Sequence, residues 1–208
     1  MMLKEKQIEM IEKAEALFAD NGYQLTGIRD IAKKVCSNSS MVNYYFNSKE
    51  NLLRAIINYR TADLEKLLLN KVYQNNTPFE QICQILDTFV NKAFKFKDFH
   101  KLLIQLETSN AADDLLKDFY KLRVSIFNHI QAIINTGQQK GHFKKEIDVF
   151  MFYTVISGTI AATILNNHQL AGALVSEGIP EKHADEKLLE RTLATLGTIA
   201  DAMLVANH

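Results

Sequence analysis

Proline and glycine are scarce in this chain of 208 residues, with two of the first and eight of the second. An all-β chain full of tight turns needs far more of both, so the composition favours helices. Cysteine is as rare. Cys36 and Cys83 stand far apart, without CxxC or Cys/His spacing, so neither a disulfide framework nor a zinc module is expected, and a reducing, cytoplasmic compartment is. Net charge is missing too, since 24 Lys and Arg side chains balance 24 Asp and Glu. No blanket polycation is present to hold nucleic acid or membrane without discrimination, and an anionic partner must be met by a local patch. Long apolar runs are also lacking. Residues 1–20 alternate charged with apolar side chains instead of building a signal peptide. The least polar stretch, 149–165, contains Tyr153, Thr154, Ser157, Gly158, Thr159 and Thr163 and falls short of a spanning helix. It reads as a buried helix, and no membrane partner is expected.

Catalytic constellations are absent from the pattern as well. His100, His129, His142, His168, His183 and His208 form no HExxH or i,i+4 pair, and no GxSxG, Walker or GxGxxG element occurs. The expectation is no catalytic residue, no metal and no cofactor.

What is present is helical periodicity. Ile8, Ile11, Ala14, Leu17 and Phe18 recur at spacings of three and four, and Asn21-Gly22 closes that helix. Ile28, Ile31, Ala32 and Val35 form a second unit, with the Thr26 hydroxyl placed to cap its first turn. After Cys36-Ser37, Asn38 caps a third unit carrying Val42, Tyr45 and Phe46. Ser48 caps a longer helix bearing Leu52, Leu53, Ile56, Ile57, Leu64, Leu67 and Leu68. The run 75–78, ending in Thr77-Pro78, stops that helix and starts the next, because proline is tolerated in a first turn. Lys97-Asp98 separates this from a helix with Leu102, Leu103 and Leu106, which Thr108-Ser109-Asn110 ends. A long helix follows over 113–139, terminated near Gly141, and two more over 147–170 and 181–205, divided by the 172–180 stretch. The expectation is an all-α fold of about nine helices, with a trihelical domain at 1–48 and a larger helical domain at 49–208.

Residues 25–46 have the helix-turn-helix pattern: two short helices, a brief turn, and small polar residues opening the second. A helix over 39–46 is about 12 Å long, matching the roughly 12 Å width of a DNA major groove. With Val42 and Phe46 turned inward, Asn38, Ser39, Ser40, Asn43 and Tyr44 face out. Asn43 suits the two edge atoms of adenine, and the serines permit close approach. Around them Thr26, Arg29, Lys33, Tyr45 and Lys49 supply hydroxyls and cations for phosphate oxygens, which fix register rather than read sequence. Residues 24–49 hold four cations, Arg29, Lys33, Lys34 and Lys49, against Asp30 alone.

The run LFADNGYQLTGIRDIAKK followed by SNSSMVNYYFNSKENLL resembles the DNA-binding head of the TetR/AcrR transcriptional regulators, over roughly the first quarter of the chain. The resemblance implies a homodimer that binds a palindromic double-stranded DNA operator and answers to a small-molecule effector. It places Thr26 and Arg29 near the DNA backbone, matches Tyr45 to a phosphate-contacting tyrosine and Lys49 to the lysine of the SKE element, and puts 38–44 in the reading segment. Cys36-Ser37 stands where many members have glycine and an aliphatic residue, and Asn43 replaces a common tyrosine.

In the larger domain, Phe89, Phe119, Phe127 and Tyr153 are candidate walls of an effector cavity, with Arg123 and His129 as candidate orienting groups. The same stripes equally describe a filled core. Ser157, Gly158, Ala161 and Ala162, with the leucine row Leu189, Leu193, Leu196 and Leu204, are expected to pair with their symmetry mates in a four-helix dimer interface, or else to close the monomer's own core.

Overall fold

The computed structural model describes residues 4–62, 64, 76–109 and 113–205. Among them are ten helices: α1 (Glu5–Asn21), α2 (Ile28–Lys34), α3 (Ser39–Phe46), α4 (Lys49–Thr61), α5 (Pro78–Lys95), α6 (Lys97–Ser109), α7 (Asp113–Gln139), α8 (Val149–Leu165), α9 (Asn167–Ser176) and α10 (Glu181–Leu204). Extended pairing among the described residues is limited to one isolated antiparallel bridge, Phe143 with Val205. Leu67, Leu68, Asn75 and Asn110, used in the sequence reading, lie outside the described residues. No single helix among those described is long and apolar enough to cross a membrane.

Two compact units divide the chain, Met1–Leu67 with Asp98–Arg123, and Leu68–Lys97 with Val124–His208. The expected boundary at 48/49 falls inside the first, at the Ser48-capped start of α4.

In the first unit the helices share one apolar core. Met10, Ile11, Ala14 and Phe18 of α1, Ile31 of α2, Val42 of α3, and Leu52, Leu53 and Ile56 of α4 are fully buried. Turn chemistry places them. Gly22 leaves α1 at φ 84, Asn38 Oδ1 accepts from Met41 N at 2.9 Å, and Ser48 Oγ accepts from Asn51 N at 3.1 Å. The expected Thr26 cap is corrected: Gly27 is the N-cap of α2, and its N–H donates to Asp30 Oδ2 at 2.8 Å. Thr26 instead donates backward to the Gly22 carbonyl at 2.9 Å, because the last carbonyls of α1 have no helical partner. From α6, Gln105 Nε2 donates to Ala19 O at 3.0 Å, capping another of them.

A buried ion pair also runs through this core. Arg60 of α4 reaches Glu15 of α1 with two bonds, 2.8 and 3.0 Å, and both side chains are under a tenth exposed. Burial pushes the Glu15 carboxyl above its ordinary range, against the pull of Arg60.

In the second unit α5 starts at a capping box. Thr77 N donates to Glu80 Oε2 at 2.8 Å, and Glu80 N donates to Thr77 Oγ1 at 3.3 Å, with Pro78 in the first turn of α5. Helix α10 packs along α5 and α9, and α8 packs on α5. Two expected boundaries are corrected. Helix α5 ends at Lys95 with Phe96 as its cap, so Lys97-Asp98 opens α6 rather than separating the two. The expected helix over 147–170 breaks at Asn166 into α8 and α9, bent by 73°, and Gly172 lies within α9. Lys97 Nζ lies 2.7 Å from Asp185 Oδ2 and 3.2 Å from Asn167 Oδ1, while Asn167 Nδ2 donates to Asp185 Oδ1 at 3.1 Å. These polar side chains pin the corner where a straight helix would have continued.

The leucine row on α10 divides between its two expected roles. Leu196 and Leu204 are fully buried within this chain, leaving only Leu189 and Leu193 half-exposed. The apolar face that stays outward is on α8, where Met151 and Leu165 are about half exposed at either end of Gly158 and Ala162.

Gly137, on the buried side of α7, lies directly beneath the Phe143 ring, which is 3 % exposed. A β-carbon there would overlap three ring atoms. Gly137→Ala is therefore expected to destabilise the fold by about 1–3 kcal/mol despite alanine's better helix propensity, read as a lower urea midpoint.

Candidate nucleic-acid interface

Helix α3 is eight residues long, too short to persist alone in water, so its orientation is set by what it buries. Val42 and Phe46 are 0 % and 6 % exposed. The opposite side then points outward by helical geometry. Asn38, Ser40, Asn43 and Tyr44 are exposed, Tyr44 most of all at 75 %, while Ser39 and Tyr45 are half-buried. The Tyr44 and Tyr45 rings meet edge to face at 5.3 Å between centroids. Asn38 divides its side chain between roles, since its carbonyl oxygen caps the helix. Arg29, Lys33 and Lys34 are exposed on α2, the helix that packs against α3.

The turn between α2 and α3 passes through Cys36 at φ 48, and α3 ends at Asn47 with φ 63. Both are left-handed conformations that favour glycine or asparagine. Cys36 holds this conformation without being either residue.

Two residues expected at phosphates are placed otherwise. Thr26 is 2 % exposed, and its hydroxyl lies 2.9 Å from Gly22 O and 3.4 Å from Leu17 O. It serves the end of α1, not the surface. Lys49 is half-buried and donates to Tyr23 O at 2.9 Å and Thr26 O at 3.2 Å. Its ammonium also lies 4.3 Å from the Tyr23 ring centroid. Tyr23 itself is 7 % exposed, and burial pushes its phenol up to about 12. Sequence reasoning missed Tyr23 as a structural centre of the head, and missed Glu15 and Arg60. The available signal was Glu15 standing four residues after Ile11, on the apolar side of α1.

The six candidate effector residues, Phe89, Phe119, Arg123, Phe127, His129 and Tyr153, are all half-buried. Phe119 and Arg123 belong to the first unit and the other four to the second. Phe127 and Tyr153 are brought together, ring centroids 5.7 Å apart at 87°. Arg123 is engaged by Glu107 of α6. Burial holds the His129 imidazole below its ordinary 6.5.

Two consequences can be measured. Cys36→Val places a β-branched residue at positive φ and is expected to destabilise the protein by about 1–2 kcal/mol, seen as a lower thermal midpoint. For His129, depression in the folded state means the unfolded chain binds the proton first, so stability falls as pH drops through 6.5 toward the folded value. His129→Gln is expected to flatten that part of a stability–pH profile.

Comparison with known proteins places this geometry. The sequence profile of the bacterial regulatory proteins of the tetR family matches residues 10–56, and that of the tetracyclin repressor-like C-terminal domain matches residues 78–195. The chain is 24% identical over 162 residues to the fatty acid metabolism regulator protein of Bacillus subtilis, covering 76% of this chain and 81% of that one. Among solved structures, the ketosteroid regulator KstR2 of Mycobacterium tuberculosis shares the fold at a TM-score of 0.77, with 16% identity over 99% of this chain and 98% of its own. AibR, solved with isovaleryl coenzyme A and operator DNA, matches at 0.68, with 17% identity over 92% and 98%. The C-terminal match alone spans more than half of the residues, and it continues from a helix-turn-helix whose reading face is turned outward: the chain belongs to the TetR family and is a transcriptional regulator, not an enzyme.

Proposed function

We propose that this protein is a homodimeric repressor that binds a palindromic operator through α3 of each copy and is released by a small-molecule effector. Residues 1–48 form the reader in this proposal and 49–208 the regulatory and dimerising part. The observation that carries it is the outward polar face of α3, with Asn38, Ser40, Asn43 and Tyr44 exposed, while α2, which packs against α3, exposes Arg29, Lys33 and Lys34. Ser39 and Tyr45 flank that face. The two copies of α3 must sit about 34–36 Å apart to enter successive major grooves on one side of the duplex. The exposed stripe of α8, small at Gly158 and Ala162 and apolar at Met151 and Leu165, supports close pairing with a second copy.

Effector recognition is assigned to the second unit, to Phe89, Phe127, His129 and Tyr153. Relatives named for fatty acid metabolism and for ketosteroids, and one solved with isovaleryl coenzyme A, favour an acyl-CoA or steroid-like ligand, whose apolar body suits aromatic walls. An effector that binds one head separation better than the other shifts the equilibrium between them and lowers operator affinity.

Fluorescence anisotropy on genomic fragments selected by the protein tests the DNA face. Lys33→Ala is expected to weaken all fragments alike and to reduce the log–log salt slope by about 0.9. Asn43→Ala is expected to cost about 1–3 kcal/mol of sequence discrimination at unchanged slope. The reading fails if both variants match the unsubstituted protein in affinity, preference and slope.

A further inference from the structure

Charge and position beside the motif suit Lys49 to a phosphate, but its surroundings in the head give it another task. An ammonium has three N–H donors. Two of them are aimed at carbonyls of a single turn, Tyr23 O at 2.9 Å and Thr26 O at 3.2 Å. The same nitrogen stands over the Tyr23 ring, which is held edge to face against Phe18 at 5.2 Å. Within that turn Thr26 Oγ1 closes onto Gly22 O, and Gly27 N onto Asp30. Backbone and side chains from Gly22 to Asp30 are thus joined to one another and then to Lys49.

The path of the chain makes this contact more than local. Between Thr26 and Lys49 lie both helices of the helix-turn-helix, and the bond from Lys49 to Thr26 closes that segment into a ring, joining residues 23 apart in sequence. The entry to α2 and the exit from α3 are fastened at one point. Lys49 also begins α4, so the fastening ties the motif to the helix that follows it.

We infer that Lys49 is a positioning residue, whose ammonium clasps the α1–α2 turn to the start of α4 and serves operator affinity by holding α2 and α3 in place, not by meeting a phosphate. This rests on the operator-binding reading above. The two roles differ in their dependence on salt. A phosphate contact displaces a counterion and adds about 0.9 to the log–log salt slope, whereas a clasp inside the protein adds nothing.

Two variants separate them, measured against the same selected fragments across a range of salt. Lys49→Met keeps the aliphatic stem and removes the donors and the charge. Lys49→Arg keeps the charge but replaces a compact ammonium by a wide planar fork that does not fit a seat between one ring and two carbonyls. Both are expected to bind about tenfold more weakly with the slope of the unsubstituted protein. A slope lower by about 0.9 in Lys49→Met, or wild-type binding by Lys49→Arg, overturns the inference, as does wild-type affinity in both. The free protein supplies a reading that needs no DNA. Amide exchange over residues 24–28 is expected to speed up in both variants while the amides of α10 keep their protection, and unchanged exchange there also overturns the clasp. If the unsubstituted protein binds no fragment, the operator reading fails, and the exchange data still decide the clasp.

Discussion

The reading helix cannot hold itself up. Eight residues form too few hydrogen-bonded turns to offset the ordering of their backbone, so α3 exists because Val42 and Phe46 are taken into a core with α1, α2 and α4. Anchoring one side of a short helix leaves little freedom to the other. The direction in which Asn43 and Tyr44 point is thus decided by apolar side chains that never leave the interior.

Polar groups inside the head work on the same problem from the other direction. Helix ends leave carbonyls without partners, and this fold satisfies them with side chains from distant parts of the chain. Thr26 and Gln105 reach the last turn of α1, and Lys49 reaches the turn after it. Glu15 and Arg60 bind α1 to α4 through a bidentate contact away from water. Such a pair adds little net stability compared with an apolar substitute, but leaving one member alone is costly. Each of these contacts constrains an angle or a register more than it adds energy.

Much of this was legible in the sequence because it depends on neighbours a few residues apart. Asn38, Ser48 and the Thr77-Pro78 pair announce their helices by local capping chemistry, and the inward stripe of α4 follows from period alone. Boundaries failed where a distant partner intervened. Asn166 and Asn167 are compatible with one continuous helix by local pattern, but Lys97 and Asp185 engage Asn167 at a corner there. The spacing of Leu196 and Leu204 suits a dimer face and a core alike, and α10 turns them into its own chain's core against neighbours that periodicity does not name. Thr26 and Lys49 belong to the DNA-facing segment by pattern, and contacts across 4 and 23 residues turn their polar atoms inward.

Taken alone, the order of residues determined the helical class, the short polar spiral of the motif, and the family to which it belongs, because periodicity, caps and a dense local pattern survive without knowledge of what packs where. Only the tertiary structure decided which hydroxyls and cations remain at the surface. A threonine or lysine carries the same donors in either place, and its direction depends on carbonyls brought beside it by folding, whose positions no local spacing encodes.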